Sequence, residues 1–302
     1  MKSHTAISLH SLTPIRTSPS EVAEMSTQML FGETCDILET KPRWMRILLH
    51  SDGQEGWADR KMITPLSDDE WQQLCSDNDA RVHAFFPITL MPMAYAVSEN
   101  NGQTIPLTAG TRLFNYKDGR FELLGVGFRI DPSMVLTAPL PLDEPHLLQA
   151  VRFFLNIPYL WGGKNAMGMD CSGFTQVVLS LFGKHLLRNA SQQATQGIEV
   201  NRLEDAQAGD LAFFCKPNAD NENNVNNEKN DNNDNNDNNE KNGAHAPITH
   251  VGILIDKQRI IHCSGRVKVE KIDATGIFSI EQADAQHPQG QYTHQLLSIR
   301  RY

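Results

Sequence analysis

One of the chain's five cysteines sits in "YLWGGKNAMGMDCSGF", Tyr159 to Phe174, between an aspartate and a serine. A glycine-rich turn precedes it and an apolar run follows. This order places Cys171 in the first turn of a helix, flanked by Asp170 and Ser172. There, free backbone N–H groups and the helix dipole favour a thiolate. From position alone three roles stand open for Cys171: a small buried hydrophobe, a metal ligand, or a nucleophile. Spacing argues poorly for the metal, because neither a CxxC pair nor an HExxH helix accompanies the cysteine.

A nucleophilic thiolate needs a base, and the base needs an orienting group. Two downstream segments supply imidazoles. In "THVGILID" the period-two alternation of a strand puts His250, Gly252 and Leu254 on one face, and in "RIIHCSG" it groups Ile260, His262 and Ser264. Only "DKQR" separates the two, which fits a hairpin that sets His250 beside His262. Both imidazoles are then expected to face the helix that starts at Cys171, one as base, the other holding its tautomer. The competing reading for each is an ordinary packed or exposed histidine. That reading is adopted for the other nine, His294 among them. Cys263, next to His262, points to the opposite face and into the core.

Several elements must position these groups. Leu147, Leu148, Val151, Phe154 and Leu155 follow helical spacing, with Pro158 as the stop. In "SGFTQVVLSLFGKHLL", Phe174, Val177, Val178 and Leu181 form one helical face, with Gly183 as the stop. From about residue 208 strands take over: "AGDLAFFC", "ITHVGILID", "QRIIHCSG" and "HQLLSIRRY". Between the first two lies an Asn-rich stretch with almost nothing to bury, expected to be a disordered insert over 217–246. Upstream, "MLFGETCDILET", "RWMRILLHSDGQEGWA" and "KMITPL" alternate around Gly and Asp turns and predict a small β-barrel over 1–66. Residues 67–80 read as a linker of helical flavour, 81–140 as a second β-rich block, and 141–302 as the unit that holds Cys171.

Composition narrows the classes. A chain of 302 residues, 40% hydrophobic, can build two or three packed domains. The formal charge is -9, but residues 218–242 carry seven acids and two lysines, so the remainder is only mildly acidic and shows no nucleic-acid footprint. The five scattered cysteines form no disulfide framework and fit a reducing compartment. No apolar run is long enough to span a bilayer, and the first residues lack a signal-peptide core, so a cytoplasmic location is expected.

The motifs "YLWGGKNAMGMDCSGF", "AGDLAFF", "THVGILI" and "IIHCSG", in this order, resemble the NlpC/P60 cysteine peptidases over about residues 143–302. The resemblance implies an α+β, papain-like catalytic domain. It implies Cys171 as nucleophile, His250 as general base and His262 as the orienting third residue, with Tyr159, Asp170 and Ser172 lining the substrate site. The backbone N–H of Cys171, helped by Tyr159, is the candidate oxyanion donor. "TSPSEVAEMSTQMLFGETCDIL" followed by "DGQEGWAD" looks like a bacterial SH3-like barrel. Two such barrels before this domain resemble the γ-D-glutamyl-L-diamino acid endopeptidases. That group cuts the bond between γ-D-Glu and a diamino acid in murein tripeptides and tetrapeptides with a free N-terminal L-Ala.

In such a site an acid pairs with the substrate ammonium, and Glu55 is the candidate; its other reading is a solvated turn carboxylate. "LLRNASQQATQG" resembles the segment that meets substrate after the nucleophile helix, but Asn189 and Ala190 stand where the family carries Asp and Ser. The expected function is therefore murein-peptide hydrolysis in wall degradation or recycling, with no metal, cofactor, nucleic acid or membrane involved. A non-catalytic binding module and an amidase or acyltransferase on the same fold are the alternatives.

Overall fold

The computed structural model describes residues 4–79, 85–217 and 246–302, in which two β-rich units precede a helix-backed, closed β-barrel. The first unit is a seven-stranded antiparallel sheet: β1 Thr5–Ile7, β2 Leu12–Arg16, β3 Met25–Leu30, β4 Thr34–Thr40, β5 Trp44–Leu49, β6 Glu55–Asp59 and β7 Thr64–Pro65, ordered β3-β2-β6-β5-β4-β1-β7. The hairpin turn between β5 and β6 is made by Gly53 at φ +71°, a conformation glycine adopts without steric cost. Its apolar core is Ala6, Ile15, Met29, Cys35, Met45, Ile47, Leu49, Ala58 and Ile63, beside which the Ser8 and Thr13 hydroxyls pair with each other at 2.9 Å.

Residues 67–80, expected as a linker, contain a helix, α1 Asp68–Asp79. A capping box opens it: the Ser67 N–H donates to Glu70 Oε2 at 2.8 Å, and the Glu70 N–H to Ser67 Oγ at 3.3 Å. The second unit has a four-stranded sheet, ordered β10-β9-β12-β11, and a two-stranded one, β13-β8. Its strands are β8 Ile88–Thr89, β9 Ala94–Ser98, β10 Thr104–Leu107, β11 Arg120–Leu123, β12 Val126–Ile130 and β13 Val135–Leu136. Ile7 and Phe31 of the first unit, Leu74 of α1, and Phe121 and Phe128 of the second share one buried cluster, which joins the two units.

Helix α2, Glu144–Val151, starts where Asp143 accepts from the His146 N–H at 3.0 Å, and it stops seven residues before Pro158. Asn156, at φ +68°, has already left helical geometry. A two-stranded hairpin, β14 Lys164–Asn165 and β15 Gly168–Met169, leads into α3, Cys171–Ser180, and then into the short α4, Ala190–Gln193. The remaining strands are β16 Ile198–Glu199, β17 Leu211–Cys215, β18 His250–Leu254, β19 Arg259–Ser264, β20 Arg266–Ile272, β21 Gly276–Ser279 and β22 Gln291–Arg301. Pairing of β21 with β22 closes β17 to β22 into a six-stranded barrel, and β16 extends its edge.

Closure gives the barrel two faces. Phe174, Val177 and Val178 of α3 pack with Leu211, Phe213, Val251, Ile253, Ile261 and Cys263 on the outside. Ala212, Phe214, Leu254, Ile260, Ile272, Ile277 and Ile299 fill the inside. The expected Asn-rich insert falls almost entirely outside the described residues. Among the described residues no helix is long and apolar enough to cross a membrane.

Candidate active site

Asp170 caps α3 and does more than cap it. Its Oδ1 accepts from the Gly173 N–H at 2.6 Å, from Ser172 Oγ at 3.3 Å and from Arg188 Nη1 at 3.0 Å. Its Oδ2 accepts from the Gly162 N–H at 2.9 Å and from Arg188 Nη2 at 2.6 Å. Arg188 is 1% exposed, and it also donates to Ser172 Oγ at 2.9 Å and to Thr27 Oγ1 at 2.7 Å. Asp170 and Ser172, expected to line the substrate site, thus have their polar atoms engaged by the scaffold. They fix the turn that presents Cys171. Arg188 ties that turn to β3 of the first unit.

Gln28 reinforces the junction, accepting from the Lys164 N–H at 3.0 Å and from Asn165 Nδ2 at 2.8 Å. Gly162 sits at φ +73°, and a Cβ there would come within 2.3 Å of the Met25 carbonyl oxygen. The glycine of the turn is therefore what lets the first unit approach so closely.

Cys171 opens α3 and is 8% exposed. Burial, then the Asp170 charge, pushes its thiol up to about 11, against backbone hydrogen bonds at Val251 and Ser172 and the Arg188 charge. Removal from water thus opposes the helix terminus, which favours a thiolate. Tyr159 stands beside the thiol, its phenol raised by burial first and then by the Cys171 and Asp170 charges.

The histidines lie elsewhere than expected. His250 and His262 share the inner face of the barrel with Leu254 and Ile260, whereas Val251, Ile253, Ile261 and Cys263 face α3. Cys171 therefore meets β18 at its first residues, where its sulfur lies against the Val251 backbone, and not across the helix–sheet face. Cys263 does face the core, as expected.

Inside the barrel, His250 Nε2 and His262 Nδ1 are 2.8 Å apart, and His262 Nε2 lies 2.8 Å from Glu270 Oε2. Lys268 Nζ follows at 3.1 Å from Glu270 Oε1 and 3.5 Å from Glu281 Oε2. His294 stacks on His250 with ring centroids 4.2 Å apart. Burial, with repulsion from His262, His294 and Lys268, holds His250 well below 6.5. Burial also lowers His262, against the pull of Glu270. His294 is lowered to about 4, mainly by burial. Burial alone would raise the Glu270 carboxyl, but the hydrogen bond with His262 and the neighbouring Lys268 ammonium hold it at about 2. Among the described residues no group of three His, Cys, Asp or Glu is arranged to hold a metal ion.

Glu55 lies on an exposed face and pairs with Arg46 at 3.3 Å. Asn189 precedes α4, and its amide donates to Gln54 Oε1 at 3.4 Å, which brings the β5–β6 hairpin beside this segment. Ala190 packs at the rim of the α3 core. Sequence reasoning missed Arg188, Glu270, Lys268 and His294 as parts of this site.

Residues 156–226 match the NlpC/P60 family, and residues 15–63 match the bacterial dipeptidyl-peptidase SH3 domain. The chain thus carries an NlpC/P60 domain preceded by a bacterial SH3 domain. A γ-D-glutamyl-L-lysine dipeptidyl-peptidase of Bacillus subtilis (strain 168) is 27% identical over 202 residues, 63% of this chain and 64% of that protein. The protein of the same name from Bacillus cereus is 26% identical, over 63% of this chain and 60% of its own length. The matches therefore span less than two thirds of these relatives. Among solved structures, an NlpC/P60 family protein from Bacillus cereus superposes with a TM-score of 0.71 at 19% identity over 99% of both chains. An NlpC/P60 endopeptidase from Photobacterium damselae gives 0.61 at 14% identity, over 98% of this chain and 66% of that one. These two likenesses establish the shared fold.

Proposed function

We propose that this protein is a cysteine endopeptidase that cleaves the γ-D-Glu–diamino acid bond of murein peptides with a free N-terminal L-Ala, in peptidoglycan degradation or recycling. The observation that carries the reading is the thiol at the start of α3, set against the backbone of the residue that follows a buried, hydrogen-bonded histidine. The names of the two Bacillus relatives support the bond class. A cytoplasmic setting belongs to the same proposal.

In this mechanism Cys171 and His250 are both neutral at rest, as burial favours. His250 takes the thiol proton as sulfur attacks the γ-carbonyl carbon. The backbone N–H of Cys171 and the Tyr159 hydroxyl meet the oxyanion. His250 returns the proton to the departing amine, leaving a thioester. It then deprotonates the water that hydrolyses the thioester and releases L-Ala-D-Glu. His262 holds the His250 ring in place. Glu55, across the junction from α4, is the proposed partner of the substrate ammonium.

Mass-spectrometric digestion of L-Ala-γ-D-Glu-meso-diaminopimelate and of its L-Lys counterpart, each beside its N-acetylated form, tests the reading. Release of L-Ala-D-Glu from the free peptides alone, abolished by Cys171→Ala, is the expected result. Cleavage of both forms removes the free-amine requirement, and cleavage of neither by folded protein overturns the peptidase.

A further inference from the structure

Strand β20, "RVKVEKI", is inverted relative to simple patterning: Lys268 is 7% exposed while Val269 is 42% exposed. Two opposite charges are turned into a barrel whose other inner residues include Leu254, Ile260, Ile272 and Ile277. Buried ion pairs are costly to desolvate, and an apolar pair of equal volume is commonly as stable or more so. The pair is therefore poorly explained by stability, and its one contact with the proposed machinery is the 2.8 Å bond from Glu270 to His262.

We propose that Glu270 is a positioning residue that sets the proton-accepting tautomer of His250 through His262. An ionised carboxylate only accepts, so His262 must carry its proton on Nε2. His262 Nδ1 is then a lone pair, and it accepts from His250 Nε2–H across 2.8 Å. That leaves the lone pair of His250 on Nδ1, the ring nitrogen not engaged by His262. With the opposite tautomer of His262, Nδ1–H would donate to His250 Nε2, and His250 Nδ1 would already carry a proton and be unable to take the thiol's. No proton reaches Glu270 in this scheme; it stays ionised and fixes direction.

Lys268, anchored by Glu281, compensates the buried carboxylate. His294 and Phe214 flank the His250 ring from β22 and β17. On the thiol side stand Asp170, Arg188, Tyr159 and Cys263.

The inference rests on the peptidase reading only where hydrolysis is its readout, so two further readouts are used. Glu270→Gln is isosteric but can donate as well as accept. The double variant Glu270→Gln/Lys268→Met removes both charges and guards against misfolding from an orphaned lysine. In ¹⁵N imidazole spectra the wild type is expected to show His250 as the pure Nε2–H tautomer, and both variants a mixture. Site-resolved alkylation of Cys171 by iodoacetamide near neutral pH is expected to slow about tenfold or more in both. If the wild type cleaves peptide, kcat falls about a hundredfold with KM unchanged, as for a base held in the wrong tautomer. An unchanged His250 tautomer or unchanged alkylation in folded variants overturns the proposal. A wild type that cleaves nothing while both readouts respond overturns the peptidase reading and leaves this one standing.

Discussion

The first unit and the C-terminal barrel are both small, curved antiparallel sheets, yet their interiors differ. The first is filled by aliphatic and sulfur side chains, Ile15, Met29, Ile47 and Leu49 among them, with the neutral hydroxyls of Ser8, Thr13 and Thr27 as its fully buried polar groups. The second is divided, with Phe214, Leu254, Ile260 and Ile277 in its apolar part and His250, His262, Lys268 and Glu270 in its polar part. An interior of apolar side chains and paired neutral hydroxyls specifies a shape. An interior that accepts buried charge gives up packing energy for chemistry, and such local violations mark functional sites.

The contrast predicts that substitutions in the two parts of the divided barrel fail in different ways. The largest effect belongs to Cys171→Ala, which is expected to lower peptide hydrolysis by at least about a thousandfold while thermal melting stays close to wild type. Activity surviving in that variant would detach the polar cluster from catalysis. Next, Arg188→Met leaves the Asp170 carboxylate buried without its partner. Chemical denaturation is expected to show a loss of about 3–5 kcal/mol, because one half of a buried ion pair is removed. Ile260→Ala, in the apolar part, is expected to cost about 2–5 kcal/mol of stability. Its kcat per folded molecule should be near wild type, the inverse of the Glu270→Gln behaviour. A large kcat loss in Ile260→Ala would erase the distinction between the two parts.

Acid sensitivity should also follow the divided barrel. His250, His262 and His294 have folded-state pKa values below the ordinary 6.5, so the unfolded chain binds protons that the folded state refuses. Stability therefore falls as pH drops below about 6.5, and for His294 the loss continues to about 4, at roughly 1.4 kcal/mol per pH unit for each such group. Glu270 adds a second window. Its depressed carboxyl contributes stability above 4.5, which is lost as pH falls towards about 2. Urea midpoints at pH 7.5 and 5 should thus separate, and His294→Gln should reduce the separation. The smallest effect is expected from Glu55→Gln, which leaves stability nearly unchanged because its pair with Arg46 is exposed. It should raise KM for the free-amine peptide but not for the acetylated one; an unchanged KM removes Glu55 from amine recognition.

Much of this arrangement was legible in the sequence. The Asp170–Cys171 helix start, the β18–β19 hairpin and the pairing of two histidines follow from a cap signature and period-two alternation. The capping box of Ser67 and Glu70 was equally visible in "LSDDEW" and marks the helix taken for a linker. Alternation places residues on a common face but does not say which face is inside. Only barrel closure by β21 and β22 turns the histidine face inward and leaves Val251 and Cys263 for the helix. For the same reason alternation in "RVKVEKI" does not say that Lys268 and Glu270, rather than Val267 and Val269, turn into the barrel. Arg188 was hidden by distance in sequence, since its partners include Thr27, 161 positions away.

The most direct test of the account is intact-mass analysis of enzyme acid-quenched during the first turnovers with L-Ala-γ-D-Glu-L-Lys. A covalent L-Ala-D-Glu adduct that maps to Cys171, and is absent from Cys171→Ala, is the predicted result. Product release without any adduct, continuing in Cys171→Ala, would contradict it.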